Sequence, residues 1–435
     1  MFSVAIAVCL VVAVCAASLS ECGHIKLHAA LLGAYGAAVP IGAAATLPGL
    51  PAPYDTLSSV LGLAAGANAV WIVCRLGAKR RVDSAPEVVL WIALAVWICI
   101  SWYWSIGPSQ TYSAALQLVS FVVLAIAIVQ VDYDADDIRV VETSFVVGLW
   151  FVGFVAIDQW NSGAIGANTV SGDRFGTVSN DPGLTAAALV LPMLVALGAV
   201  IDPRRRVVLR GLALGGFGLG AVALILTATR GGLIALVVGG VYLCIALGYR
   251  TSAMAGISVS IGLLAVVGLP AIDRVGAGST GRTSIWSAML AGCEARCIAG
   301  SGFGTSRQVH ASAVLANPHL GRDRLRVESH NLWVGALAEI GAIGLLILAM
   351  IFAAAISVAW SQRDLGGHVA VAAVGGLILT NLFLSSPDFK YFWLVLVFAT
   401  LQRCRRGGQQ VGPGGPSVRP VRGYDDGPSY GRCQI

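Results

Sequence analysis

The sequence predicts an all-α, polytopic bundle of transmembrane helices. Three observations carry this reading. Of the 435 residues, 57% are hydrophobic and only 11% are charged, where soluble proteins run near ~45–50% and ~25%. The mean hydropathy is +0.80. The apolar residues fall into about thirteen runs, close to the ~20 residues a helix needs to cross the hydrocarbon core. These runs are continuous and do not alternate, which argues against a β-barrel. So little polar surface also excludes a soluble multi-domain enzyme, a coiled coil and a disordered chain.

The predicted spans cover roughly 1–20, 28–47, 56–76, 87–106, 112–131, 140–160, 183–201, 208–228, 230–248, 252–272, 329–360, 367–386 and 388–402. Segment 1–20 lacks the basic stretch of a signal peptide and reads as a helix. Gly211–Gly220 suits close helix packing in lipid. Basic clusters punctuate the spans. Arg75, Lys79, Arg80 and Arg81 follow the third span, and Arg204, Arg205, Arg206 and Arg210 follow the seventh. Arg250 follows the ninth, and Arg403, Arg405 and Arg406 follow the last. The positive-inside rule puts these clusters in the cytoplasm. The N-terminus then lies outside with thirteen spans and inside with twelve. The membrane domain covers residues 1–402. Residues 403–435, rich in Gly and Pro from Gly407 onward, read as a disordered cytoplasmic tail. No internal repeat is visible.

Two predicted outer segments are long, at about 161–182 and 273–329. The second precedes span eleven and carries Arg274, Arg282, Arg296, Arg307, Arg322, Arg324 and Arg326 with Glu294 and Glu328. Arginines outside break the orientation rule locally, and guanidinium suits phosphate. The net charge of +6 is no nucleic-acid signal, because the basic residues sit in short runs between apolar segments.

Ser329 to Gly344 is the strongest local pattern. His330 and Asn331 stand where the long outer segment enters span eleven, and Glu339 lies nine residues further on. An imidazole titrates near neutrality and can take a proton from a hydroxyl. The bland alternative is an interfacial His. Glu339 is an ionisable residue inside an apolar helix, which points to function or to a hydrogen bond that orients a neighbouring helix. Arg230, in the tight turn Thr227–Gly232, starts a helix whose N-terminus favours anions, although it could also snorkel to headgroups. Arg174 lies in Asp173–Pro182 and Arg282 in Gly281–Trp286, followed by Gly300–Gly304. Together, three outer arginines and a His could neutralise a diphosphate leaving group while a hydroxyl is activated.

Other signals are weaker. The Asp-x-Asp spacing in Asp132–Asp137 reads as a helix cap. Cys293 and Cys297 lack the further ligands a metal needs and could form a disulfide. His310 and His319 read as loop surface. There is no P-loop, nucleophile elbow or HExxH sequence.

These landmarks, in this order, resemble the O-antigen ligase/polymerase family over roughly spans three to thirteen. They are Ser101–Ile106, Asp173–Pro182, Thr229-Arg230-Gly231, then Arg282…Trp286…Gly302-x-Gly304, and His330-Asn331…Glu339-x-Gly341. The resemblance implies a fold similar to the C-type glycosyltransferases. It implies a cytoplasmic-membrane enzyme of the cell envelope that takes a glycan from undecaprenyl diphosphate on the outer face. The acceptor would be lipid A-core or another glycan chain, as in exopolysaccharide polymerases. It implies no metal and no other cofactor. By position, His330 would be the base. Arg230 and Arg282 would bind the diphosphate, Arg174 would help hold the donor, and Asn331 and Glu339 would line the substrate site. A transporter of lipid-linked glycans is the competing class. It predicts charges along a central cavity and a repeated half.

Overall fold

The computed structural model describes residues 26–47, 49–50, 55–76, 86–165, 174–249, 282–294, 296–317, 319, 327–384 and 387–403. The predicted spans 1–20 and 252–272 and the predicted tail from Arg405 lie outside these residues, as do Asp173, Gly281, Arg322, Arg324 and Arg326.

The described residues form helices and no strand. They are α1 (Leu27–Ala38), α2 (Leu57–Leu76), α3 (Pro86–Ser101), α4 (Pro108–Gln130), α5 (Ala135–Asn161), α6 (Pro182–Ile201), α7 (Val207–Leu226), α8 (Arg230–Ala246), α9 (Arg282–Cys293), α10 (Ser306–Ala316), α11 (Leu332–Ser361), α12 (Leu365–Thr380) and α13 (Lys390–Leu401). Eleven of them coincide with eleven predicted spans, so the chain is a multi-pass helical membrane protein.

Seven helices, α2–α7 and α11, are long and apolar enough to cross a bilayer, whereas α1, α8, α12 and α13 are shorter. Burial explains how three of the short ones persist, since α1, α12 and α13 are mostly buried, whereas α8 is not. Every residue of α13 from Tyr391 to Leu401 is buried, so its surroundings are protein and not lipid. α1 continues as a 3-10 turn, Val39–Ala44. The predicted segment 273–329 is not one long loop, because it contains α9 and α10.

The two ends of the bundle differ in chemistry. At one end Lys26 bonds Asp134 and Asp137 at 2.6 and 2.9 Å. Asp134 caps α5 through a capping box with Asp137, so the Asp-x-Asp spacing is a helix cap. Arg205 pairs with Glu142, and Arg403 with Glu87. Of the predicted cytoplasmic basic residues, the described Arg75, Arg204, Arg205, Arg206, Arg210 and Arg403 stand at this end, where α2, α6 and α13 finish and α7 begins. The opposite end gathers α9, α10, the start of α11 and the turns before α6 and α8.

One sequence expectation changes here and another is met. His310 is buried, only 2% exposed. It shares the inward stripe of α10 with Val309, Ala313 and Val314, so it is not loop surface; His319 is exposed. Cys293 and Cys297 are joined as a disulfide.

Candidate functional site

Span eleven begins at Leu332, which leaves His330 just off the helix. Asn331 is the N-cap, and its Oδ1 accepts from the amides of Trp333 and Val334 at 2.9 and 3.1 Å. Its Nδ2 donates to the Leu382 carbonyl at 3.1 Å, and the Leu332 amide donates to the Asn381 carbonyl. On the other side, the Trp286 indole of α9 donates to the Ser329 carbonyl at 2.9 Å. His330 is therefore held between two anchored neighbours. Its φ of 46° turns the chain sharply, a conformation a non-glycine residue keeps only when its surroundings enforce it.

α9 supplies one wall. Arg282 is its first residue, and Trp286, one turn on, shares its face. The Arg282 guanidinium lies over the Phe383 ring, 5.6 Å from its centre. Phe383 also packs closely against Gly231, next to Arg230. Phe383, in the turn after α12, thus touches Arg282 on one side and the first turn of α8, just beyond Arg230, on the other. Arg230 is exposed, and as the first residue of α8 it sits where backbone N–H groups favour an anion.

Arg174 has a different position. Its guanidinium donates to the carbonyls of Thr227 and Ala228 at 2.8 and 3.2 Å and to the Thr229 hydroxyl at 2.9 Å. It braces the turn that presents Arg230. That turn includes Ala228 at φ 48°, so the brace holds a strained backbone. Asp181 caps α6 through the amides of Gly183 and Leu184 and faces His330 electrostatically.

Glu339 is also committed to the backbone. One carboxylate oxygen accepts from the Gly304 amide at 3.0 Å and the other from the Ser306 amide at 2.9 Å. It thereby caps α10 from another helix, since Thr305 gives no side-chain cap. The loop beneath docks on a break in α11. The amides of Ser301 and Gly302 donate to the carbonyls of Ala338 and Glu339, and the Ala342 amide donates to the Cys297 carbonyl. Gly341, at φ 69°, makes the break, and a side chain there or at Gly300 would strike the opposing backbone. The exit of α3 holds the same loop, through Ile106 N–H to the Ser301 carbonyl at 2.9 Å. The landmarks Ser101–Ile106, Gly300–Gly304 and Glu339–Gly341 are therefore one packed unit.

The charges around His330 set its chemistry. Burial holds the imidazole below its usual pKa. Arg282 and Arg307 push the same way, while Glu328 and Asp181 oppose them. A neutral ring at physiological pH is the form that accepts a proton. Glu328 pairs with Arg307 of α10 at 2.6 Å.

Asp388 went unnoticed in the sequence. Burial raises its carboxyl to about 6, and Glu328 adds to the rise. It neighbours Pro387, which lines a small cavity with Leu332, Gly335, Ala336 and Glu339. The sequence placed Asp388 at the start of the last span. A carboxylate at the mouth of an apolar run was the signal available.

Among the described residues, no group of three or more His, Cys, Asp or Glu stands together as a metal site. No curated protein matches the chain. Residues 215–349 match the family model described as O-antigen ligase. That stretch contains Arg230, Arg282, His330, Asn331 and Glu339; Arg174 and Asp388 fall outside it. Over that stretch, under a third of the chain, the match agrees with the resemblance read from the sequence; the landmarks Ser101–Ile106 and Asp173–Pro182 lie before it.

Proposed function

We propose that this protein transfers a glycan from undecaprenyl diphosphate to an acceptor hydroxyl on the outer face of the cytoplasmic membrane, without a metal. The observation that carries the reading is that Arg282, whose charge acts on His330, lies over Phe383, which packs against Gly231 in the turn that carries Arg230. His330 takes the proton of the acceptor hydroxyl. That oxygen attacks the anomeric carbon, the bond from this carbon to the diphosphate oxygen breaks, and the anomeric centre inverts. Arg230 and Arg282 take up the charge that grows on the leaving diphosphate. Each charge-assisted contact contributes on the order of 1.5–3 kcal/mol. Arg174 and Glu339 act through what they hold, the Arg230 turn and the α10 loop. The disulfide in the loop suits an oxidising outer compartment.

Donor binding tests this directly. Purified protein in EDTA should bind undecaprenyl-diphosphate glycan, and Arg230→Ala or Arg282→Ala should weaken binding about tenfold or more. Unchanged donor affinity in both variants would remove the diphosphate clamp.

A further inference from the structure

Resting on the transferase reading, we propose that the Arg307–Glu328 pair is the acceptor-sugar subsite, which binds hydroxyls of the incoming glycan and holds one of them against His330.

The placement comes from what each element touches. Arg282 faces Phe383, and Phe383 packs on Gly231, so the diphosphate side of His330 is the α8 and α12 side. α10 packs on α9 and α11 rather than on α8 or α12, and its N-terminus is tied to Glu339. Near there, Gly107 at the start of α4 meets Thr305 and Gln308. Arg307 projects from this helix to Glu328, two residues before His330. An acceptor must reach the base from the side opposite the leaving group, because substitution with inversion is in line.

The chemistry fits sugar hydroxyls. A carboxylate accepts from two adjacent hydroxyls, and a guanidinium donates to hydroxyl and ring oxygens. Both groups are open to water, with side chains 62% and 44% exposed. A pair this exposed adds little to stability, so fold maintenance does not account for it. The same stretch is rigid: Trp286 anchors Ser329, and Asn331 is clamped to Leu382. A hydroxyl held by Glu328 would therefore keep a fixed distance to the imidazole.

The test is steady-state transfer with synthetic undecaprenyl-diphosphate glycan as donor. Lipid A-core oligosaccharide and a second molecule of the lipid-linked glycan serve as alternative acceptors. Measurements are made above pH 7.5, where His330 is neutral in every variant. Glu328→Gln and Arg307→Gln should each raise the acceptor KM about tenfold to a hundredfold. Donor affinity should stay within twofold and kcat within threefold. The reciprocal exchange, Arg307→Glu with Glu328→Arg, keeps a salt bridge but reverses its polarity, and should not restore the KM. Restoration by the exchange means the pair is structural and overturns the proposal. An unmoved acceptor KM, or a loss of donor affinity, overturns it too. If the wild type transfers to neither acceptor while binding donor, the transferase reading itself falls, and the subsite with it.

Discussion

Glu339 separates a residue that touches substrate from one that holds the machinery. The sequence placed it among substrate-binding residues, whereas in the structure both carboxylate oxygens accept backbone amides, at 3.0 and 2.9 Å. Glu339→Ala removes both acceptors. Two buried amides left without an acceptor cost about 1–3 kcal/mol each, so the loss reaches roughly 2–6 kcal/mol, lowered where water enters to solvate them. This cost falls on the attachment of the loop and α10, so it is local. Glu339→Gln keeps one acceptor and turns an NH2 toward the second amide, so it should also loosen the loop, by about half as much. Limited proteolysis in detergent should show faster cleavage within residues 305–330 in the order Ala, Gln, wild type. Transfer should fall in the same order, with donor affinity within twofold of wild type. Donor affinity lost in Glu339→Ala, with proteolysis unchanged, would refute this reasoning and return Glu339 to the substrate site.

Three further outcomes follow from the geometry. Because burial and two arginines hold His330 below its usual pKa, the base stays neutral under mildly acidic conditions. The acid limb of kcat/KM should thus lie below ~6.5, the usual value for a free imidazole. Arg307→Ala removes a cation and should move that limb up, Glu328→Gln should move it down, and the opposite shifts would contradict the assignment. Arg230→Lys and Arg282→Lys should keep more donor affinity than the Ala variants, since charge survives while the forked donor is lost; equal loss would rule out a charge-based clamp. Leu315 is 71% exposed on α10, so Leu315→Cys, with the free cysteines replaced by serine, should react with a membrane-impermeant reagent applied outside intact cells. Labelling only after permeabilisation would reverse the orientation.

Most of the bundle was legible because a crossing helix needs a long apolar run, and such runs stand out in composition. The short helices were legible as runs but not as short. The predicted span 367–386 ends at Thr380 in the structure, because hydropathy does not register where the chain turns to offer Asn381 and Leu382 carbonyls to α11. At the site, residue types suggested a chemistry but left contacts open. Arg174, Arg230 and Arg282 look alike in sequence, and only packing shows Arg174 bracing a turn, Arg282 lying over Phe383 and Arg230 exposed at the start of α8. Asn331 looked like a ligand residue and is the cap of α11. His310 looked exposed because it falls in a segment read as a loop, although its stripe of α10 faces inward. Asp388 was hidden by its distance along the chain from Glu328, whose charge acts on it.

The most direct test of the central claim is glycan transfer by purified protein in EDTA, wild type against His330→Ala, with synthetic undecaprenyl-diphosphate glycan and the two acceptors above. The account predicts product from the wild type alone, with donor affinity equal in both proteins. Transfer retained by His330→Ala would contradict the assignment of the base.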